Sequence, residues 1–260
     1  MKPTSARERL EAALGRIDDP KGEGARACLT VYRDQAKAAA DAADARAKAG
    51  VSLGPLDGTI VSIKDLFDVA GEVTRVGSKV FAEEGKPATA DAPVVRRLRA
   101  GGAVIVAKTN MSEFAYTGIG ANPHFGTPGN PADRKRVPGG SSSGAAVAAA
   151  DGMCEIAIGT DTGGSCRIPG ALCGIVGYKP SRQRIPTTGA FPLSYSIDSI
   201  GPIARSVEAC ARADAVMANE TYVPLEPVPL AEREVTRVAE IQIELRRRLP
   251  RISLDPDRTV

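Results

Sequence analysis

The sequence predicts an α/β fold whose sheet is covered by helices on both faces, on three observations. Short stretches of strand character recur at residues 59–64, 103–107, 156–159 and 176–179. Segments of helical character alternate with them, as layered α/β architectures require. With 260 residues, 43% apolar and 25% charged, the chain is long enough to bury a sizeable core and has the balance of an ordinary soluble domain.

Each element has a local reason. Residues 5–18 and 24–48 are rich in Ala, Arg, Lys, Asp and Glu without internal proline, and predict two helices broken at Asp19-Pro20-Lys21-Gly22. The second reads as a helical arm packed on a body. A turn at Gly54-Pro55-Leu56-Asp57-Gly58 leads into the alternating, β-branched strand Thr59-Ile60-Val61-Ser62-Ile63-Lys64. Residues 92–99 form a helix with Pro93 near its start and Gly101-Gly102 past its end, followed at once by the strand Ala103-Val104-Ile105-Val106-Ala107. Residues 143–150 are small and helix-prone. Strands follow at 156–159 and 176–179, then a helix from Ser206, its cap, to about Asn219. Residues 223–260 read as a proline-broken linker, one exposed helix and a frayed terminus.

Composition excludes several classes of function. The balance of 34 Lys+Arg against 31 Asp+Glu gives +3, too little for an extended nucleic-acid footprint. Five cysteines without a Cys-x-x-Cys pair, beside a single histidine, offer no zinc-ligand spacing and read as reduced, buried thiols. The N-terminus lacks the apolar run of a signal peptide, and no stretch approaches the ~20 apolar residues of a membrane span. The cytoplasm is the expected compartment, with no membrane partner.

Two glycine–serine stretches carry the chemistry. They are Gly139-Gly140-Ser141-Ser142-Ser143-Gly144 and Asp161-Thr162-Gly163-Gly164-Ser165-Cys166-Arg167, with Lys64 upstream. Glycine lets backbone N–H groups crowd a reacting carbonyl, so such turns suit acyl chemistry. The segment 140–144 matches the Gly-x-Ser-x-Gly elbow, which needs a histidine later in the chain, but the single histidine, His124, comes before it. His124 reads as a loop residue. Neither the Ser-x-x-Lys signature nor a Walker lysine is present. Two serines and a lysine remain. A serine hydroxyl needs a neighbour to take its proton. A lysine can do so near neutrality only if burial lowers its pKa by about 3 units, a cost of roughly 4 kcal/mol. Lys64, between Ile63 and Leu66 on a strand, is placed for such burial, and alternation turns Asp65 to the opposite face. Consecutive N–H groups at Thr162, Gly163, Gly164 and Ser165 suit an oxyanion hole.

Three runs of this sequence, 137–149, 158–169 and 173–180, resemble the amidase signature family. Gly58-Thr59-Ile60-Val61-Ser62-Ile63-Lys64-Asp65 and Lys108-Thr109-Asn110-Met111-Ser112-Glu113-Phe114 are similar to its upstream blocks. The likeness runs in order from about residue 54 to 220. It implies a mixed, twisted β-sheet sandwiched between layers of α-helices, and hydrolysis of a small-molecule amide through a Ser–cis-Ser–Lys triad with neither cofactor nor metal. Carried over by position, it makes Ser165 the acylated nucleophile, Ser141 the bridging serine after a cis peptide, and Lys64 the ultimate base. Thr162, Gly163 and Gly164 become the oxyanion hole, Ser142 a hydrogen-bonding support, and Asp161 with Arg167 a brace for the loop.

The organisation that follows is an N-terminal helical segment (1–53), a catalytic core (54–222) and a linker with divergent tail (223–260). Family members are considerably longer, and the similarity fades after about Leu230, so a truncated or frame-shifted product is expected. Two alternatives stand beside a hydrolytic amidase. One is the A subunit of a tRNA-dependent glutamine amidotransferase, and the other an inactive remnant. Beyond the substrate, the expected partner is at most a second copy in a homodimer.

Overall fold

Helix α1 (Ala6–Ile17) begins at a capping box: the Ser5 hydroxyl accepts from the Glu8 amide, and the Glu8 carboxylate accepts from the Ser5 amide. Its buried stripe is Leu10, Ala13, Leu14 and Ile17. The structure, a computed structural model, describes residues 4–225, and up to Val223 these form one compact unit. From residue 226 on, the linker, helix and terminus expected over 223–260 lie outside the described residues.

The single helix expected over 24–48 is a correction. The segment divides into a one-turn helix α2 (Gly24–Ala27), a strand β1 (Cys28–Val31) and helix α3 (Arg33–Lys48). Pairing decides it. Cys28 and Val31 stand opposite Thr109 and Ala107 of an antiparallel neighbour, and ladder bonds with β-branched Thr30 and Val31 outweigh the helix propensity of the flanking alanines. The N-terminal segment therefore supplies an edge strand to the sheet and is more than a helical arm.

The remaining elements follow the reading closely, with four additions. They are β2 (Ile60–Lys64), α4 (Lys79–Glu84), α5 (Pro93–Ala100), β3 (Val104–Thr109), a single 3-10 turn (Glu113–Ala115), α6 (Ser143–Ala150), β4 (Ile156–Asp161), α7 (Arg167–Leu172), β5 (Val176–Gly177), β6 (Ser199–Ala204) and α8 (Val207–Ala218). Helices α4 and α7, the 3-10 turn and strand β6 had no counterpart in the sequence reading. Ser206 caps α8 as expected, accepting from the Ala209 amide, and Asn219 closes it in the left-handed conformation.

The strands form one mixed six-stranded sheet, in the order β1-β3-β2-β4-β6-β5. Strand β2 runs parallel to β3 and β4, and the other pairs are antiparallel. Alternation along the strands feeds two cores. Val104, Val106 and Ala157 pack with α1, α3 and α6, while Ile105, Ile156 and Ile158 pack with α5 and α8. The α/β fold with helices on both faces is thus the observed one. No helix among the described residues is long and apolar enough to cross a membrane.

Helix α6 (Ser-Gly-Ala-Ala-Val-Ala-Ala-Ala) is buried from Ser143 to Ala149, which only small residues permit. A Cβ at Gly144 would lie 2.4 Å from the Ala27 carbonyl oxygen and 2.6 Å from the Asn110 amide nitrogen, both backbone atoms that cannot rotate away. We expect Gly144→Ala to destabilise the fold by about 3 kcal/mol, read as a lower urea midpoint at unchanged slope. An unchanged midpoint would contradict this packing.

Candidate active site

Because β2 and β4 run parallel, their C-terminal ends reach the same edge of the sheet. Lys64 is the last residue of β2, and Asp161, which opens the second glycine loop, is the last of β4. The first serine loop descends onto that edge and enters α6 at Ser143. Parallel pairing thus brings together two of these segments, and the contact of Ser141 with Lys64 adds the third.

Lys64 is completely buried. Its Nζ donates to Ser141 Oγ at 2.8 Å and to Thr160 Oγ1 at 3.0 Å. Burial drives its pKa down from an ordinary 10.5 to about 8, against the opposing pull of Cys166, Asp161 and Asp198. Asp65 does not face it, but pairs with Arg75 at 3.2 Å and lies 3.9 Å from Lys108. A lysine so placed has the lowered pKa and the hydroxyl contact that a proton acceptor near neutral pH needs.

The peptide between Gly140 and Ser141 is cis. The loop is pinned by the Gly140 amide donating to the Gly118 carbonyl (2.7 Å) and the Ser112 amide donating to the Ser141 carbonyl (3.0 Å). Ser142 joins the two loops: its amide donates to the Ser165 carbonyl and its hydroxyl to the Thr160 carbonyl, each at 3.3 Å. Ser165, 8% exposed, is the most accessible of the three buried serines Ser141, Ser142 and Ser165. Its hydroxyl makes no hydrogen bond among the described residues, so the structure joins Lys64 to Ser141 but does not join the Ser141 and Ser165 hydroxyls. Catalytic bonds are commonly long without substrate and tighten in its presence.

Asp161 organises the second loop. Its buried carboxylate accepts from the amides of Gly164 (2.8 Å), Cys166 (3.1 Å) and Arg167 (3.3 Å), and from the Arg167 guanidinium at 3.0 and 2.9 Å. Burial alone would raise its pKa, yet the guanidinium and the amides hold it below the ordinary carboxylate range. Gly164 therefore has its amide committed to Asp161, whereas those of Gly163 and Ser165 donate to no group among the described residues. Asp161→Ala would strip five hydrogen bonds from this carboxylate and leave a half-exposed Arg167 alone. We expect a loss of about 3 kcal/mol in a denaturant titration, the low end for a broken buried pair because Arg167 reaches solvent.

Two neighbours of the site escaped the sequence reading. Thr160 holds Lys64, and Asp198 accepts a hydrogen bond from the Thr162 hydroxyl. Thr160 lay in the family-like run 158–169 without a role of its own, and Asp198 precedes a strand that had not been recognised. The five cysteines are free and buried, and burial pushes the Cys166 thiol up to about 12, so it stays protonated and a poor rival to the serines. His124 lies 3.4 Å from Glu113 in a loop. Among the described residues no group of acidic, histidine or cysteine side chains could hold a metal ion.

The chain resembles known proteins in sequence and in fold. The amidase family profile matches residues 8–257. The chain is 44% identical over 232 residues to AtzE, a 1-carboxybiuret hydrolase component of Pseudomonas sp. (strain ADP), covering 88% of this chain and 50% of that protein. It is 46% identical over 206 residues to the A subunit of glutamyl-tRNA(Gln) amidotransferase from Anaeromyxobacter dehalogenans (strain 2CP-C), covering 79% and 41%. Among solved structures, a crystal structure of an amidase superposes with a TM-score of 0.79 at 38% identity, over 94% of this chain and 58% of the other. The native peptide amidase from Stenotrophomonas maltophilia gives 0.75 at 37% identity, over 82% and 45%. The chain spans half or less of the length of these two curated relatives.

Proposed function

The chain belongs to the amidase signature family, and on that footing we propose that it hydrolyses a carboxylic acid amide through an acyl-serine intermediate on Ser165. The observation that carries the proposal is the buried contact of Lys64 Nζ with Ser141 Oγ at 2.8 Å. Neutral Lys64 accepts the Ser141 proton as Ser141 takes that of Ser165. Ser165 Oγ attacks the amide carbonyl, forming the C–O bond while the carbonyl electron pair moves to oxygen. The amides of Gly163 and Ser165, with that of Thr162, receive the oxyanion. The proton returns through Ser141 to the leaving nitrogen, and the C–N bond breaks. Water then repeats the sequence on the acyl-enzyme, releasing the acid and restoring the serine.

A fluorophosphonate probe tests the proposal. Stoichiometric labelling of folded protein is expected, with the adduct on the peptide carrying Ser165. Folded protein that takes no label would mark an inactive remnant and defeat the proposal. The resemblance to an amidotransferase component supports a second reading, in which the amide is glutamine and the ammonia passes to a partner enzyme. Co-purification of further subunits would favour it, and turnover of simple amides by the isolated chain would not.

A further inference from the structure

We propose that Asp198 is a positioning residue for the reaction of Ser165, tying the turn at residues 193–197 to the glycine loop through Thr162 and supplying that edge of the sheet with a carboxylate that no cation among the described residues neutralises. The inference rests on the acyl-serine reading above. Its geometry comes from the antiparallel pairing of β4 and β6, in which Asp161 stands opposite Ser199. One step beyond that register lie Thr162, just after β4, and Asp198, just before β6. The Thr162 hydroxyl donates to Asp198 Oδ1, and the other oxygen, Oδ2, accepts from the amides of Leu193 and Ser194, both at 2.9 Å. One side chain therefore fastens a turn that carries exposed Leu193, Tyr195 and Ile197 to the residue before Gly163. Freeing Thr162 would loosen the amides that face the developing oxyanion, and a small displacement there is costly.

The charge of Asp198 has its own consequence. Three groups favour the protonated form of Lys64: Cys166, Asp161 and Asp198. The Cys166 thiol is protonated across the working range, and Asp161 is neutralised by Arg167. Asp65, next to Lys64 in sequence, is engaged by Arg75 with Lys108 nearby. Among the described residues no lysine, arginine or histidine forms an ion pair with Asp198, so its charge acts on Lys64 uncompensated.

The test is the pH dependence of fluorophosphonate labelling at Ser165 in four proteins: wild type, Asp198→Asn, Thr162→Val and the double variant Asp198→Asn/Thr162→Val. Asp198→Asn is expected to slow labelling about tenfold and to move the acid limb down by roughly half a pH unit or more. Thr162→Val should slow it comparably with the limb unmoved, because the charge remains. The double variant should be no slower than the worse single one, since both break the same tie. An Asp198→Asn limb that coincides with wild type, or rate losses that multiply in the double variant, would overturn the inference. Wild-type protein that never labels would instead sink the acyl-serine reading, so the two failures are distinct. If Asp198→Asn fails to fold, Thr162→Val alone decides: wild-type labelling in that variant removes the tie.

Discussion

Ser165→Ala is expected to lower kcat by about a millionfold while leaving the fold intact, and the structure says why both halves should hold. Removing a catalytic serine that acts with its base as one unit costs about 10⁶ in rate, or roughly 8 kcal/mol in the barrier. The residual rate would come from whatever the loop amides still stabilise. Stability should not follow, because the Ser165 hydroxyl has no hydrogen-bond partner among the described residues and its removal orphans nothing. The contacts that hold the loop are the Asp161 carboxylate and the Ser142 amide on the Ser165 carbonyl, and all of them survive the substitution. The expected result is an unchanged urea midpoint with loss of both turnover and fluorophosphonate labelling. Turnover above about 1% of wild type would move the nucleophile to another hydroxyl and defeat the assignment.

Much of the site was legible because its chemistry demands residues that are informative in one dimension. A glycine-rich turn around a serine, and a lysine ending an apolar strand, each narrow the possibilities. Together with the resemblance they named Lys64, Ser141, Ser142, Ser165, Asp161 and Arg167. What was not legible depends on pairing. Residues 28–31 become a strand only because β3 lies alongside them, and nothing in an alanine-rich stretch announces a partner some 80 positions away. Strand β6 hides for the opposite reason: Gly201 and Pro202 argue against a strand. They are tolerated because Gly201 passes so near Tyr178 that a Cβ would come within 2.1 Å of its carbonyl oxygen. The donor missing from Pro202 also falls where the two-residue β5 has already ended. Missing β6 meant missing Asp198, which reaches the site only through that strand's register with β4. The Gly164 amide could not be separated from its neighbours in sequence either, because whether an N–H is free depends on where Asp161 points.

Lys64→Met should separate catalysis from stability, and this is the sharper test. Methionine keeps the volume and removes the amine, so turnover should fall by at least 10²–10⁴, the usual worth of a general base. In wild type the reactive form of Lys64 is neutral, and with a pKa of about 8 in the folded protein kcat/KM should fall tenfold per unit below that pH. The variant's residual rate should lack that limb. Stability should move the other way. The unfolded chain binds the lysine proton up to about 10.4, the folded one only up to about 8, so between those values the unfolded state holds more protons. Wild-type stability therefore rises with pH across that window, by about 3 kcal/mol from this group. Below pH 8 the full penalty of burying the charge is present. Methionine never carries that penalty, though it leaves the Ser141 and Thr160 hydroxyls short of a partner, at about 1 kcal/mol each. Lys64→Met should then be at least as stable as wild type at pH 7 and about 2 kcal/mol less stable at pH 10.5, measured by urea titration at both. A stability difference that does not change between the two pH values would mean that the amine at position 64 is as protonated in the folded protein as in the unfolded one, and a lysine of that kind cannot take a proton from serine at neutral pH.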